Sequence, residues 1–225
     1  MSVLCFIVSG PSGSGKTSVV QHLLATVPRL LFSVSYTTRA PRAGEQDGRE
    51  YHFVQPEEFQ QMIARQDLLE YAEVFGHYYG SHRSALDDAA RQGSDLLLDI
   101  DVQGARQVKE RLPDAVAVFV LPPSWQELEH RLRARGLDSP EAIQRRLQCA
   151  REEIEISLDI YDYLVVNRSL EETCAQVQAI VVVERARRSA QQPPPEAAAL
   201  AAAARKDATK SQVSAILETF EAHGA

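Results

Sequence analysis

Cysteine is scarce in this chain. The three cysteines, Cys5, Cys149 and Cys174, are odd in number, far apart and in no metal-ligand spacing. That argues against a disulfide framework and a cysteine-held metal, and reads as three reduced thiols in a cytoplasmic protein. No apolar run approaches the ~18 residues of a membrane span, so no membrane partner is expected. The N-terminus carries no basic segment ahead of its apolar stretch, unlike a secretory signal. An excess of positive charge is missing too. The formal net charge is −7, which argues against a general nucleic-acid surface and makes any arginine cluster a local site. There is no internal repeat.

What remains is 225 residues of ordinary globular composition, enough for one α/β domain with some excess. Val3–Val8 reads as a buried strand, followed by a Gly-rich loop and a helix from about Lys16 to Ala25. Further β-rich runs are Phe32–Thr37, Glu50–Val54, Asp95–Ile100, Val116–Leu121 and Tyr163–Val166. The runs LLLDI and VAVFV are continuously apolar, as in strands buried on both faces of a parallel sheet. Ser124 with Glu127, and Ser169 with Glu172, form capping-box patterns, and Ser139–Pro140 reads as an N-cap with its first helical residue. Alternating strands and helices predict an α/β doubly wound fold, a parallel sheet flanked by helices. Residues 33–90, with short strands and clustered Arg, Tyr and Gly, read as an inserted subdomain. After Arg188, Pro193–Pro195 reads as a stiff linker into an Ala-rich, helical tail. Its amphipathic stretch Val213–Phe220 suits either subunit association, giving a homo-oligomer, or a solvated helix.

Residues Gly10, Pro11, Ser12, Gly13, Ser14, Gly15, Lys16 and Thr17 match G-x-x-x-x-G-K-[ST] in full. Small residues let backbone N–H groups curl around phosphate oxygens, and the helix N-terminus adds a favourable dipole. Lys16 supplies a point charge for β- and γ-phosphates, and Thr17 a hydroxyl for Mg²⁺. A chance glycine turn is the alternative, and the strand before and helix after weigh against it. Asp99 and Asp101 in LLLDID end a buried strand, where a magnesium-associated carboxylate belongs; two apart, they point to one side of a strand. The alternative is that Asp101 caps the following helix. These features specify a nucleoside triphosphate with magnesium and leave the acceptor open.

Arg39 and Arg42 sit three apart around Pro41, with Tyr51 and Tyr79 further on. Guanidinium groups bind phosphate bidentately and tyrosine hydroxyls complete the coordination, so their convergence would hold a monophosphate. Singly, each is equally well a solvated Arg or a half-buried Tyr.

The P-loop, SVSYTTRAPRAGEQDGREYHFV, LLEYAEVFGHYYGS, LLLDIDVQGARQVK and LPPSWQELEHRLRARG together resemble guanylate kinase, in that order and spacing, over roughly residues 3–188. The resemblance implies γ-phosphoryl transfer from ATP to GMP, giving ADP and GDP in purine nucleotide metabolism. It implies a P-loop kinase core within residues 1–188, a GMP-binding subdomain at about 33–90 and a mobile lid at about 124–158. By it, Arg39, Arg42, Tyr51 and Tyr79 hold the GMP phosphate, with Glu45 supporting the arginines. Ser35, Glu70 and Ser81 surround the guanine, with Asp101 close by. Asp99 sits near magnesium through water, and Arg131, Arg135 and Arg146 approach the transferred group.

Two rivals use the same fold. A ribosyl-bisphosphate kinase would need no guanine reader, against which Glu70 and Ser35 weigh. A non-catalytic guanylate-kinase-like binding module tends to lose the P-loop lysine and lid arginines, whereas Lys16, Thr17, Arg135 and Arg146 are present. His82 and VVNRS depart from the family pattern, and the segment after Arg188 lies outside it.

Overall fold

The computed structural model describes residues 3–74, 76–136 and 138–223. The first half of the chain runs β1 (Cys5–Ser9), α1 (Lys16–Thr26), β2 (Leu30–Phe32), β3 (Tyr36–Thr37), β4 (His52–Phe53), α2 (Pro56–Ala64), β5 (Leu68–Val74), β6 (His77–His82), α3 (Ser84–Arg91) and β7 (Asp95–Asp99). The second half runs α4 (Val102–Arg111), β8 (Val116–Leu121), α5 (Trp125–Ala134), α6 (Pro140–Ile160), β9 (Tyr163–Val166), α7 (Leu170–Arg188), α8 (Pro195–Ala203) and α9 (Lys206–Glu221). The architecture is α/β. A five-stranded sheet has the order β2-β7-β1-β8-β9, with parallel β2–β7 and β8–β9 pairs. Every residue of β1 and β8 is buried, as continuous apolar runs in a sheet covered on both faces require. Among the described residues no helix is long and apolar enough to cross a membrane.

The chain divides into two compact units. One comprises Met1–Ile7 and Arg29–Ala115. Here β2 pairs with β7, and a second sheet of four strands has the order β4-β3-β6-β5. β5 and β6 are antiparallel, with Glu70 opposite Ser81, and the register shifts between Leu68 and Glu70. One face of this sheet is held by the fully buried Phe59 of α2, whose ring stacks on Tyr78 at 5.4 Å. The expected Glu50–Val54 strand is reduced to His52–Phe53.

The other unit comprises Val8–Pro28 and Val116–Ala225. Its α5, α6 and α7 helices start where side chains satisfy orphan N–H groups. Ser124, Ser139 and Ser169 accept from the N–H groups of Glu127, Ala142 and Glu172. At Ser124 the reciprocal half of a capping box is absent, because the Glu127 carboxylate pairs with Arg131 instead.

The residues after Arg188 correct the expectation of a linker and solvated tail. Pro193–Pro195 leads directly into α8, and Ala201, Ala204, Val213, Ile216 and Phe220 are buried. The α9 helix packs on α5, α6 and β9. Its apolar face is covered by its own chain rather than offered to a second subunit.

Candidate active site

In the Val8–Pro28 and Val116–Ala225 unit, Gly10–Gly15 is the whole connection between β1 and α1. Gly15 is the N-cap of α1 at φ 94°, and a Cβ there would lie 2.2 Å from the Asn167 amide nitrogen. Only glycine fits. No side chain caps α1, so its first N–H groups and its dipole face outward, the arrangement that suits an anion. Lys16 and Thr17 stand on this first turn, Lys16 half-buried and Thr17 exposed.

The loop is pinned from behind. The Ser14 carbonyl accepts from Asn167 Nδ2 at 2.7 Å and from Arg131 Nη1 at 3.4 Å. Arg131 also donates to the Asn167 carbonyl at 3.1 Å and to Glu127 at 2.8 Å. Asn167 is itself fixed by Thr173, whose hydroxyl donates to its Oδ1. Arg131, expected beside a transferred group, is thus tied to the loop's backbone. Arg146 donates to the Ser12 hydroxyl at 2.9 Å and pairs with Asp138. Arg135 is exposed at the end of α5. Arg133 pairs with Glu129 one turn back, the solvated i,i+4 pair its spacing allows.

In the other unit the anion-binding candidates cluster. Arg39 Nη2 donates to both Glu45 oxygens at 2.9 Å, and Glu45 also accepts the Arg42 N–H at 2.7 Å. The Arg39 guanidinium, then the Arg42 N–H, hold the Glu45 carboxyl below the usual carboxylate range. Tyr51 and Tyr79 meet edge to face at 5.8 Å, and the Arg39 guanidinium lies over the Tyr51 ring at 5.5 Å. Glu45, and less strongly Tyr79, raise the pKa of the Arg39 guanidinium. Arg39, Glu45, Tyr51 and Tyr79 therefore form one cluster, while the Arg42 side chain is exposed.

Glu70 is 4% exposed and accepts from the Ser81 hydroxyl at 2.7 Å. Burial, helped by the nearby Asp101 charge and opposed by the Ser81 hydrogen bond, pushes its carboxyl up to about 7. A Cβ on Gly104 would lie 2.5 Å from Glu70 Oε2, so this glycine makes room for the carboxylate. Ser35 is half-buried between β2 and β3, its carbonyl accepting the His52 N–H. Asp99 ends β7. Asp101 does not continue the strand beside it: it is the N-cap of α4, accepting the Gly104 N–H at 2.8 Å. The helix-capping alternative applies, because a carboxylate just past the strand, at a helix start, satisfies an orphan donor.

Asn167, Asp138 and Gly104 carry structural roles that their sequence context does not announce. Only VVNRS drew attention to Asn167, as a departure from a pattern. Among the described residues no three His, Cys, Asp or Glu side chains gather as a metal site.

The arrangement offers a phosphate loop with adjacent arginines in one unit. In the other it offers an Arg/Tyr anion cluster and a buried acceptor edge. The sequence profile of the guanylate kinase family matches residues 3–184. A guanylate kinase of Koribacter versatilis is 54% identical over 188 residues, covering 82% of this chain and 80% of that protein. One from Myxococcus xanthus is 48% identical over 182 residues, covering 81% and 87%. The crystal structure of guanylate kinase from Anaplasma phagocytophilum superposes with a TM-score of 0.63 at 34% identity, covering 85% of this chain and 88% of that one.

Proposed function

The chain belongs to the guanylate kinase family, and from that premise we propose a role for each residue cluster. The enzyme transfers the γ-phosphoryl group of ATP to GMP, giving ADP and GDP. The observation that carries the acceptor assignment is the buried Glu70–Ser81 pair, a rare polar edge inside a protein.

Guanine presents donors at N1 and N2 and an acceptor at O6. Ionised Glu70 accepts from both donors, and the Ser35 hydroxyl donates to O6, with Ser81 and Asp101 beside them. Adenine has the opposite polarity at this edge and would leave buried groups unpaired. The Arg39, Arg42, Tyr51 and Tyr79 side chains hold the GMP phosphate, with Glu45 keeping the arginines in place. The Gly10–Thr17 loop holds the ATP phosphates. Lys16, Arg135 and Arg146 meet the charge of the moving phosphoryl group, and Arg131 keeps the loop in shape. The acceptor phosphate oxygen is already a nucleophile, so catalysis is alignment and charge neutralisation, with no general base.

Mg²⁺ would arrive with ATP. The Thr17 hydroxyl and, through water, Asp99 are hard oxygen donors of the kind Mg²⁺ takes, and few protein ligands suit an ion carried on phosphate. Bound there, it would neutralise phosphate charge. We assign residues 1–188 to the catalytic domain, 33–90 to GMP binding and 124–158 to the lid. The proposed setting is purine nucleotide metabolism in the cytoplasm, with ATP and GMP as partners. Association through Val213–Phe220 is not proposed, since that face is already buried.

The test offers purified protein, ATP and Mg²⁺ with GMP, AMP, CMP, UMP or a ribosyl bisphosphate, and measures ADP release. GMP should be preferred by a wide margin. Equal turnover of the ribosyl bisphosphate would revive the rival kinase.

A further inference from the structure

β5 carries Glu70 and is an edge strand of its sheet. It is also irregular just where Glu70 sits. Leu68 pairs with His82 and Glu70 with Ser81, so Leu69 is an extra residue, a β-bulge. Bulges re-aim side chains, and they leave backbone groups without ladder partners. An edge strand with a bulge has no intrinsic reason to hold one conformation.

The α4 helix supplies that reason through side chains. Gln107 receives the Tyr71 N–H on its Oε1 at 3.2 Å and donates from Nε2 to the Tyr71 carbonyl at 2.7 Å. Its carboxamide thus mimics a neighbouring strand at the residue after Glu70. Arg111 Nη1 donates to the Leu68 carbonyl at 2.9 Å and also to that of Leu69, the two carbonyls of the bulge before Glu70. Asp101, Gly104, Gln107 and Arg111 lie at three- and four-residue spacing, so one face of α4 addresses β5. On that face a Cβ at Gly104 would collide with the Glu70 carboxylate.

We infer that Gln107 and Arg111 are positioning residues for base selection, clamping the β5 bulge on both sides of Glu70 so that its carboxylate meets both guanine donors. Neither residue has to touch the nucleotide. The inference rests on the reading of Glu70 as the guanine acceptor. Loss of the clamp would blur the two-point contact, whereas a single-point contact tolerates a misaligned carboxylate.

The test compares GMP with inosine monophosphate, whose base lacks the N2 amine and so has only the N1 donor. Dissociation constants for both are measured by calorimetry on the full chain for wild type, Glu70→Gln, Gln107→Met and the double variant. Gln107→Met should reduce the preference for GMP over inosine monophosphate by about tenfold, the size of one lost base contact. ATP affinity should be unchanged, and adding Gln107→Met to Glu70→Gln should change little further. If Glu70→Gln leaves the preference unchanged, the Glu70 reading itself falls. If Glu70→Gln lowers it but Gln107→Met weakens both nucleotides equally, or neither, the clamp inference falls alone. Should Gln107→Met not fold, Gln107→Glu takes its place under the same expectations. It keeps the acceptor for the Tyr71 N–H and replaces the donor to the Tyr71 carbonyl with a second acceptor.

Discussion

The indole of Trp125 and the imidazole of His223 lie nearly parallel, with centroids 4.1 Å apart and 14° between their planes. Beside them the Trp125 backbone N–H donates to the Thr219 hydroxyl at 2.9 Å. The final helix therefore covers the start of α5, and its apolar side chains belong to the core.

From this contact, stability should depend on residues that lie beyond the family match. Phe220 is fully buried, and Phe220→Ala should cost about 3–5 kcal/mol in denaturant unfolding. Ending the chain at Arg188 should cost at least as much. No proposed site residue lies after Arg188, so turnover by chains that remain folded should be close to normal. An unchanged unfolding midpoint for Phe220→Ala would contradict the packing.

Lys16→Ala should lower kcat by about a hundredfold or more, the scale of removing one preorganised electrostatic group. Circular dichroism should show the fold intact. Near-normal GMP phosphorylation by the folded variant would remove the catalytic role of this loop's lysine.

Asn167→Ala should raise the KM for ATP and leave GMP binding unchanged, because the Ser14 carbonyl loses its 2.7 Å donor. Loss of this buried hydrogen bond, with only the longer one from Arg131 left on the carbonyl, should also cost about 1 kcal/mol of stability. Equal losses for both nucleotides would contradict a role confined to the loop.

Arg135→Ala and Arg146→Ala should lower kcat more than they raise the KM for GMP, since charge is met mainly in the reacting state. Asp138→Asn should weaken the hold on Arg146 and give a smaller fall in kcat. A change confined to the KM for GMP would assign these arginines to ground-state binding.

Glu70 should leave two marks on pH dependence. Its carboxyl titrates at about 7 in the folded chain against 4.5 ordinarily, because burial disfavours the charge. The folded state therefore holds an extra proton between those pH values. The stability this confers is full below pH 4.5 and is lost as pH rises through 7. Glu70→Gln should remove that slope and gain on the order of 3 kcal/mol over wild type between acid and alkaline pH. In kinetics, kcat/KM for GMP should rise through pH 7 as the carboxylate forms. Glu70→Gln should lack this rise and lower kcat/KM by about tenfold at pH 8. A wild-type slope that survives in Glu70→Gln would assign it to another group.

Some of this enzyme was written in contiguous residues. The Gly10–Thr17 loop, the serine caps and the VAVFVL strand depend on neighbours within a few positions, where backbone geometry and solvation act locally. They are legible for that reason. Arg39, Tyr51, Glu70 and Tyr79 carried an ambiguous signal one by one, and only their combined resemblance to a family made them a candidate site.

The rest was decided by the path of the chain. Asn167 holds Ser14 across 153 positions, and Gln107 reaches Tyr71 across 36. Asp101 became a cap because the strand stopped at Asp99. The Ala-rich end looked like a tail because alanine and proline carry little apolar surface by themselves. Whether Val213, Ile216 and Phe220 are buried depends on α5, α6 and β9 standing where α9 can cover them. Sequence determined which groups could donate, accept or pack. Tertiary structure decided which partners came within the few ångströms over which those interactions act.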